Sequence, residues 1–215
     1  MELTLANVAI ASAGVILAGI SKGGFGNGIG FASTPLIALA LGPTAALALM
    51  LPLLMIMDAI ALRAWWGRWD WQTGVVMILG AFGGIALGAA VYAMISPDFM
   101  RLMMGIVALV FVALMFSQRV LGLTLRRQAP GRAEGVFWGG VAGLTSFVSH
   151  AGGPPVAVYL LGRPLTKEQY QSTSVLFFAV VNFVKFFIYA YLGFFSARTF
   201  LAVAALAPVA ILATS

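Results

Sequence analysis

The stretch Gly19–Pro35, GISKGGFGNGIGFASTP, interrupts a long apolar run with glycines and one cation, Lys22. Five glycines fall between Gly23 and Gly30. Because glycine is a poor residue for a helix interior, this pattern predicts a break with free backbone N–H groups, followed by a short helix from Gly28 to Leu41. A helix N-terminus beside a lysine is suited to binding an anion. Glycines also allow close helix packing in membranes, but the cost of an intramembrane charge at Lys22 favours a binding site.

The composition is that of a polytopic membrane protein. Hydrophobic residues make up 62% of the 215 residues, charged residues 8%, and the mean hydropathy is +1.04. The absence of cysteine excludes disulfides and thiolate metal sites, and one histidine with six carboxylates leaves little for other metal sites, so we expect no cofactor. The cations are scattered singly and cluster once, from Arg119 to Arg132, which is typical of cytoplasmic loops and not of nucleic-acid binding.

The charges and turn signals divide the chain into apolar segments, and about 20 residues are needed to cross the hydrocarbon core. We therefore expect an all-α fold. A turn at Gly42-Pro43-Thr44 separates the first short helix from the next. The predicted helical segments are 3–21, 28–41, 45–62, 73–95, 99–116, 135–149, 156–161, 172–195 and 199–213.

An internal repeat underlies this pattern. A shift of 124 positions places Gly28 on Gly152 and Asp58 on Asn182 without a gap. In each half an apolar segment meets a Gly/Pro break, a short helix follows, and a longer helix then carries a polar residue. Such paired, interrupted segments indicate the binding site of a secondary transporter.

The repeat and the charges together predict the domains and their orientation. We expect a first transmembrane repeat at 1–117, a cytoplasmic basic loop at 118–134 and a second repeat at 135–215, the latter one helix short of the first. If the basic loop is cytoplasmic, the loops at Arg63/Arg68 and Arg163/Lys167 are cytoplasmic too, whereas the Gly42 turn is external. The halves are then inverted, whether each interrupted pair crosses the membrane twice or forms a re-entrant hairpin.

Lys185 is the strongest single signal for a site, because it lies well inside the apolar span 172–195. A lysine near the middle of the bilayer costs roughly 2.5 to 3.5 kcal/mol and usually faces a cavity or a partner. The alternative is a lysine that snorkels to the interface. Asn182 is close enough to share its helix face, or it bonds to a neighbouring helix.

Asp58 and His150 are candidates for proton coupling. Three roles are open to Asp58: a proton carrier, a partner of Lys22 or Lys185, or an interfacial charge near Arg63. His150, the only histidine, either donates to an anion, titrates near neutrality, or packs as a satisfied polar residue. The predicted substrate-binding residues are the polar and glycine residues of the two breaks and the second long helix: Lys22, Gly23, Gly24, Gly26, Asn27, Ser149, His150, Gly152, Gly153, Asn182 and Lys185.

These motifs resemble the TauE/SafE family of sulfite exporters, also called the sulfonate-uptake-permease group. The resemblance lies in GISKGGFGNGIGFASTPL near the start and in SFVSHAGGPPVAVYLL, followed by Asn182 and Lys185, in the second half. It implies a multi-pass carrier in the bacterial inner membrane that moves a small sulfur oxyanion or organosulfonate, such as sulfite, sulfoacetate, sulfolactate or thiosulfate. It leaves open the substrate, the direction of transport and a homodimer.

A membrane-embedded enzyme and a small-anion channel are the other function classes to compare with a carrier. A membrane-embedded serine protease needs a serine and a histidine on separate helices, but the sole histidine is adjacent to Ser149, and no HExxH zinc motif exists. We therefore expect no enzyme. A channel for small anions, or a proton-coupled importer of organosulfur anions, remains the alternative, because an anion site alone does not separate a channel from a carrier.

Overall fold

A computed structural model describes residues 5–25, 30–92, 94–121 and 130–214. These parts of the chain form nine α-helices and no strand. The helices are α1 (Leu5–Ile20), α2 (Ser33–Leu41), α3 (Pro43–Ala64), α4 (Trp71–Tyr92), α5 (Pro97–Leu121), α6 (Arg132–Ser149), α7 (Gly153–Leu161), α8 (Lys167–Tyr191) and α9 (Ala197–Thr214). The all-α prediction is thereby confirmed for the described residues.

Among the described residues, five segments are long and apolar enough to cross a membrane: 6–23, 43–64, 71–92, 167–191 and 197–214. Large apolar side chains lie exposed around the bundle, among them Leu79, Leu109 and Phe137. A surface of this kind suits contact with lipid tails.

The glycine-rich break differs in detail from the expectation. Residues Ser21–Phe25 continue α1 as one turn that is wider than an α-helical turn, and Gly30–Ala32 form a tight 3₁₀ turn before α2. The regular helix therefore begins at Ser33, and the predicted start at Gly28 lies outside the described residues. The predicted turn after α2 is present: Gly42 has φ 82°, its N–H donates to the Ala38 carbonyl oxygen at 2.9 Å, and Pro43 opens α3.

Helix α3 is the centre of the bundle. It packs against both α8 and α9, while α1 packs against α2 and α9, and α4 packs most extensively against α6 and also against α8. The interior of α3 is lined with apolar residues that are almost fully buried, including Leu47, Met50 and Met57. The helices of the first 117 residues thus interleave with those after residue 134.

The basic loops meet at one end of the bundle. Arg68 lies 3.8 Å from the Glu168 carboxylate, and the Arg163 Nη1 donates to the Pro130 carbonyl oxygen at 3.1 Å. We call this the basic end. The turns at the opposite end also contact each other, since the Thr44 hydroxyl lies 3.5 Å from the Tyr92 hydroxyl and the Tyr92 ring lies 4.6 Å from the Phe194 ring.

Candidate functional site

A small cavity lies in the interior, beside the break after α1. Its volume is about 50 Å³, which is enough for a few water molecules, because one water needs about 10 to 15 Å³. Both halves of the chain line it: Lys22, Gly30 and Phe31 come from the first, and Ser146, His150, Gly153, Phe178 and Asn182 from the second. The wide turn that carries Lys22 is of the kind often found at functional sites.

Asp58 joins two of the lining residues. One of its carboxylate oxygens forms an ion pair with the Lys22 Nζ, and the other accepts a hydrogen bond from the Asn182 Nδ2 at 2.7 Å. Asp58 and Asn182 are only 3% and 2% exposed, so these bonds are formed away from water. Asp58 and Asn182 are also the residues that the shift of 124 aligns, and they contact each other across the halves.

Lys22 also has weaker contacts beside this ion pair. Its Nζ reaches the Leu54 carbonyl oxygen at 3.5 Å and lies 5.8 Å from the centre of the Phe178 ring. Its side chain is 14% exposed. Lys22 therefore lines the cavity wall with a side chain that is mostly buried.

Lys185 is fully buried and points inward, so it does not snorkel. Its Nζ donates to the Ser146 carbonyl oxygen at 2.8 Å and to the Ser146 hydroxyl at 2.9 Å, and it lies 2.7 Å from the His150 Nδ1. An ammonium has three N–H donors, and these three acceptors use all of them. None of the ion pairs formed by the described residues includes Lys185.

The contacts of His150 assign its protonation state. The Nε2 lies 3.2 Å from the Leu47 carbonyl oxygen, which only accepts, so Nε2 must carry a proton. The Nδ1 faces Lys185, and with that lysine as an ammonium, which only donates, Nδ1 is the unprotonated nitrogen. In that state the imidazole is neutral, and both of its nitrogens are engaged. Donation from His150 to an anion would require one of these bonds to break.

The backbone at His150 is also unusual. Its φ of 54° makes it the one non-glycine residue with positive φ in the described chain. Histidine adopts this left-handed conformation more readily than most residues, and such conformations cluster at functional sites. Here it ends α6 and lets the chain turn at once into α7.

Both short helices begin next to the cavity. Gly30 opens the turn that leads into α2, and Gly153 is the first residue of α7; both line the cavity, and both helices have nine residues. Since a helix N-terminus carries a partial positive charge and unpaired N–H groups, these two starts add to the positive field of the lysines.

The predicted site residues fall into three groups. Lys22, His150, Gly153 and Asn182 line the cavity. Lys185 and Asp58 form the second group, because each lies one hydrogen bond behind a lining residue. The third group is packed against other neighbours: Ser149 is fully buried and donates to the Thr145 carbonyl oxygen at 3.1 Å, Gly152 packs beside Phe178, and Gly23 packs beside the Thr214 carbonyl. Gly24 belongs to the wide turn, whereas Gly26 and Asn27 lie outside the described residues.

The site also contains residues that were not predicted, among them Gly30 and Phe31 on the cavity wall and three residues around the two lysines. Ser146 holds Lys185, Phe178 faces Lys22, and the Tyr189 hydroxyl donates to the Phe147 carbonyl oxygen close to this group. Ser146 had a detectable signal, because the shift of 124 places Lys22 on it. No comparable signal marks Phe178 among the many aromatic residues of this chain.

The donors in this region suit an anion better than a metal ion. No group of three or more His, Cys, Asp or Glu side chains within the described ranges is placed to hold a metal. With both lysines protonated and the imidazole neutral, the cluster formed by Lys22, Asp58, Lys185 and His150 carries two positive charges and one negative charge. We call Lys22, Asp58, Ser146, His150, Asn182 and Lys185 the polar cluster.

The comparisons with known proteins agree with this chemistry. A family model described as the sulfite exporter TauE/SafE matches residues 11–215. No curated protein and no solved structure matches the chain. Because the family match covers nearly the whole chain and the fold has several membrane-spanning helices, this is a multi-pass membrane protein that belongs to the TauE/SafE sulfite exporter family, a family of transporters of sulfur anions.

Proposed function

We propose that this protein exports a small sulfur oxyanion, sulfite or an organosulfonate, across the bacterial inner membrane by alternating access around the cavity. The observation that carries the proposal is that two lysines and a single carboxylate meet in the polar cluster, in the interior of the membrane protein. With both lysines protonated, one positive charge is left uncompensated there. A buried charge of this kind is costly, and a monovalent anion in the cavity would neutralise it.

The shape of the site supports an oxyanion. Lys22 and Asn182 present N–H donors at the cavity wall, and the starts of α2 and α7 add partial positive charge beside them. An anion with several oxygens is able to accept from donors on more than one wall. We propose Lys22, Asn182 and the backbone near Gly153 as direct contacts, with Gly23, Gly24, Gly26, Asn27 and Gly152 shaping the two breaks.

The remaining polar residues have supporting roles in this proposal. Lys185 supplies charge from behind the wall and orients Ser146 and His150, because all three of its N–H groups are engaged with them. Ser149 stabilises the end of α6 through its bond to Thr145. The two halves, inverted relative to each other, would rock around this site and expose it to one side at a time.

Transport by purified protein in proteoliposomes tests the proposal. Vesicles loaded with sulfite should release it at a rate that saturates with concentration, and external sulfite should accelerate the exit of labelled sulfite by counterflow. A panel of sulfite, thiosulfate, sulfoacetate and chloride identifies the substrate class. Saturable counterflow is expected for a carrier and not for the alternative, a small-anion channel. Release that is linear with concentration and shows no counterflow would contradict the carrier.

A further inference from the structure

We propose that the Asp58 carboxylate is an internal stand-in for the transported anion: it occupies two of the anion's donors in the empty protein and is displaced when the anion binds. This inference rests on the proposed function and assigns a regulatory role within the same site. Asp58 itself is not part of the cavity wall, but both of its partners, Lys22 and Asn182, are.

The geometry of Asp58 is that of a bound oxyanion. Its two oxygens are attached to one carbon, and each oxygen accepts from a different donor, one from Lys22 and one from Asn182. Sulfite and sulfonates also carry several oxygens on one central atom. Such an anion is therefore able to take over both bonds at once, whereas a halide, which is a single atom, offers no second oxygen for the second donor.

The charge balance explains why the empty protein needs a carboxylate beside Lys22. A carrier that works by alternating access must return through a state in which its empty site is shut off from water. A buried ammonium without a partner is strongly destabilising in such a state. With Asp58 in place, Lys22 and Asn182 remain paired in the empty protein, and Asp58 is only 3% exposed. Asp58 thereby lowers the cost of closing the empty carrier.

The inference predicts opposite effects of one substitution on binding and on net transport. Asp58→Asn removes the competing negative charge, so sulfite should bind at least about tenfold more tightly, in keeping with the size of a charge-assisted hydrogen bond. Net efflux should fall because the empty variant closes poorly, while exchange of external for internal sulfite, which never requires the empty state, should persist.

Asp98→Asn is the matched control. Asp98→Asn makes the same change of carboxylate to amide, but Asp98 lies at the exposed start of α5, where it pairs with Arg101 at 2.7 Å. Sulfite affinity, net efflux and exchange should all equal those of the unmodified protein. The binding assay uses sulfite and chloride with each purified protein, and the gain in Asp58→Asn should be larger for sulfite than for chloride.

A second measurement uses the unmodified protein and so does not depend on the variant folding. With ¹³C-labelled aspartate, the infrared carboxylate bands should shift when sulfite is added, because Asp58 loses both partners. Asp98→Asn should retain this shift, since its Asp58 is intact. A site that Asp58 merely braces would show no shift.

The outcomes separate the two proposals. Tighter sulfite binding by Asp58→Asn with retained exchange, or the infrared shift, supports the inference. Equal or weaker binding by a folded Asp58→Asn protein, or infrared bands that do not change although sulfite binds, overturns it and leaves the proposed function intact. Failure of every protein, including the unmodified one, to bind or transport any sulfur oxyanion overturns the proposed function and the inference with it.

Discussion

At the scale of single residues, Lys185 shows what a sequence reveals about a buried charge. A lysine in the middle of an apolar span is visible in the sequence, and the cost of placing it there predicts that it faces inward. The structure agrees, since Lys185 is fully buried. Its partners were not predictable, because Ser146 and His150 approach it only through the rotation and depth of α6 relative to α8.

The same limit applies to Asp58. Its distance along the chain from Arg63 is short, so an interfacial role was open from the sequence. A pairing with Lys22 or Lys185 was open as well, and the structure pairs Asp58 with Lys22, 36 residues away, and also with Asn182, 124 residues away. The repeat aligned Asp58 with Asn182, but alignment of two positions does not by itself say that the two residues touch.

Removal of the Lys185 charge is expected to weaken anion binding without unfolding the protein. Lys185→Met keeps an unbranched, apolar side chain of similar length but leaves His150 without its donor and lowers the charge of the polar cluster by one. Sulfite affinity should fall by about 1.5 to 3 kcal/mol, the attraction between two unit charges roughly 6 to 10 Å apart at an effective dielectric constant of about 20. The measurement is a sulfite titration of the purified protein.

Lys167→Met is the control for that titration. This substitution removes the same charge as Lys185→Met, but Lys167 is exposed at the start of α8, at the basic end of the bundle. Its sulfite affinity should be unchanged. Equal affinities for Lys185→Met, Lys167→Met and the unmodified protein would mean that Lys185 has no part in the site.

At the scale of helices, the closest packing is between α4 and α6. Glycines recur every fourth residue on both: Gly80, Gly84 and Gly88 on α4, and Gly135, Gly139 and Gly143 on α6. A Cβ atom at Gly84 would collide with the Gly140 carbonyl oxygen, and one at Gly139 would collide with the Met77 carbonyl oxygen. Backbones that approach this closely are a common way to join helices in membranes. This contact links the two halves of the chain.

A methyl group at Gly84 should therefore separate these helices. Gly84→Ala is expected to lower the free energy of unfolding by about 1 to 3 kcal/mol, the usual cost of overpacking a tight contact. Gly83→Ala is the matched control, because a Cβ there meets nothing within 4 Å and alanine favours the helix. Thermal unfolding in detergent provides the measurement, and equal midpoints for the two variants would contradict the close contact.

The order of the helices and their approximate extents were predictable, because the length of each apolar run and the turn residues between runs limit where a helix fits. The predicted 199–213 corresponds closely to α9, and the Gly42 turn is present, whereas the predicted 172–195 is displaced from α8, which begins at Lys167 and ends at Tyr191. The start of α2 was not predictable to the residue. Glycine permits several backbone conformations, so the sequence alone did not indicate that a 3₁₀ turn from Gly30 would precede the regular helix at Ser33.

At the scale of the whole molecule, the distribution of charge predicts the orientation. The loops that carry Arg68 and Arg163 lie together at the basic end, and Pro130, at the end of the long basic loop, joins them. The positive-inside rule places this end in the cytoplasm. Both the orientation and the inverted relation of the halves remain predictions.

Cysteine labelling tests the orientation on a chain that has no cysteine of its own. Cysteine in place of Lys167 should react with an impermeant reagent only from the cytoplasmic side. Cysteine in place of Met94, which is 86% exposed at the opposite end, should react only from the external side. Reaction of both positions from the same side would exclude the proposed orientation and, with it, the inverted halves.

The membrane potential provides the last test, because it acts on the whole transport cycle. With a negative interior, each negative charge exported gains about 2.3 kcal/mol per 100 mV, so export needs no coupling ion, whereas uptake does. The two proton-coupling candidates both have lysine partners: Asp58 pairs with Lys22, and His150 contacts Lys185. These contacts suit a role in organising the anion site better than a role in carrying protons. We therefore expect sulfite efflux from proteoliposomes to accelerate when the outside is made positive and to be unaffected by a pH gradient imposed without a potential. Efflux that ignores the potential but follows the pH gradient would instead indicate an electroneutral, proton-coupled carrier.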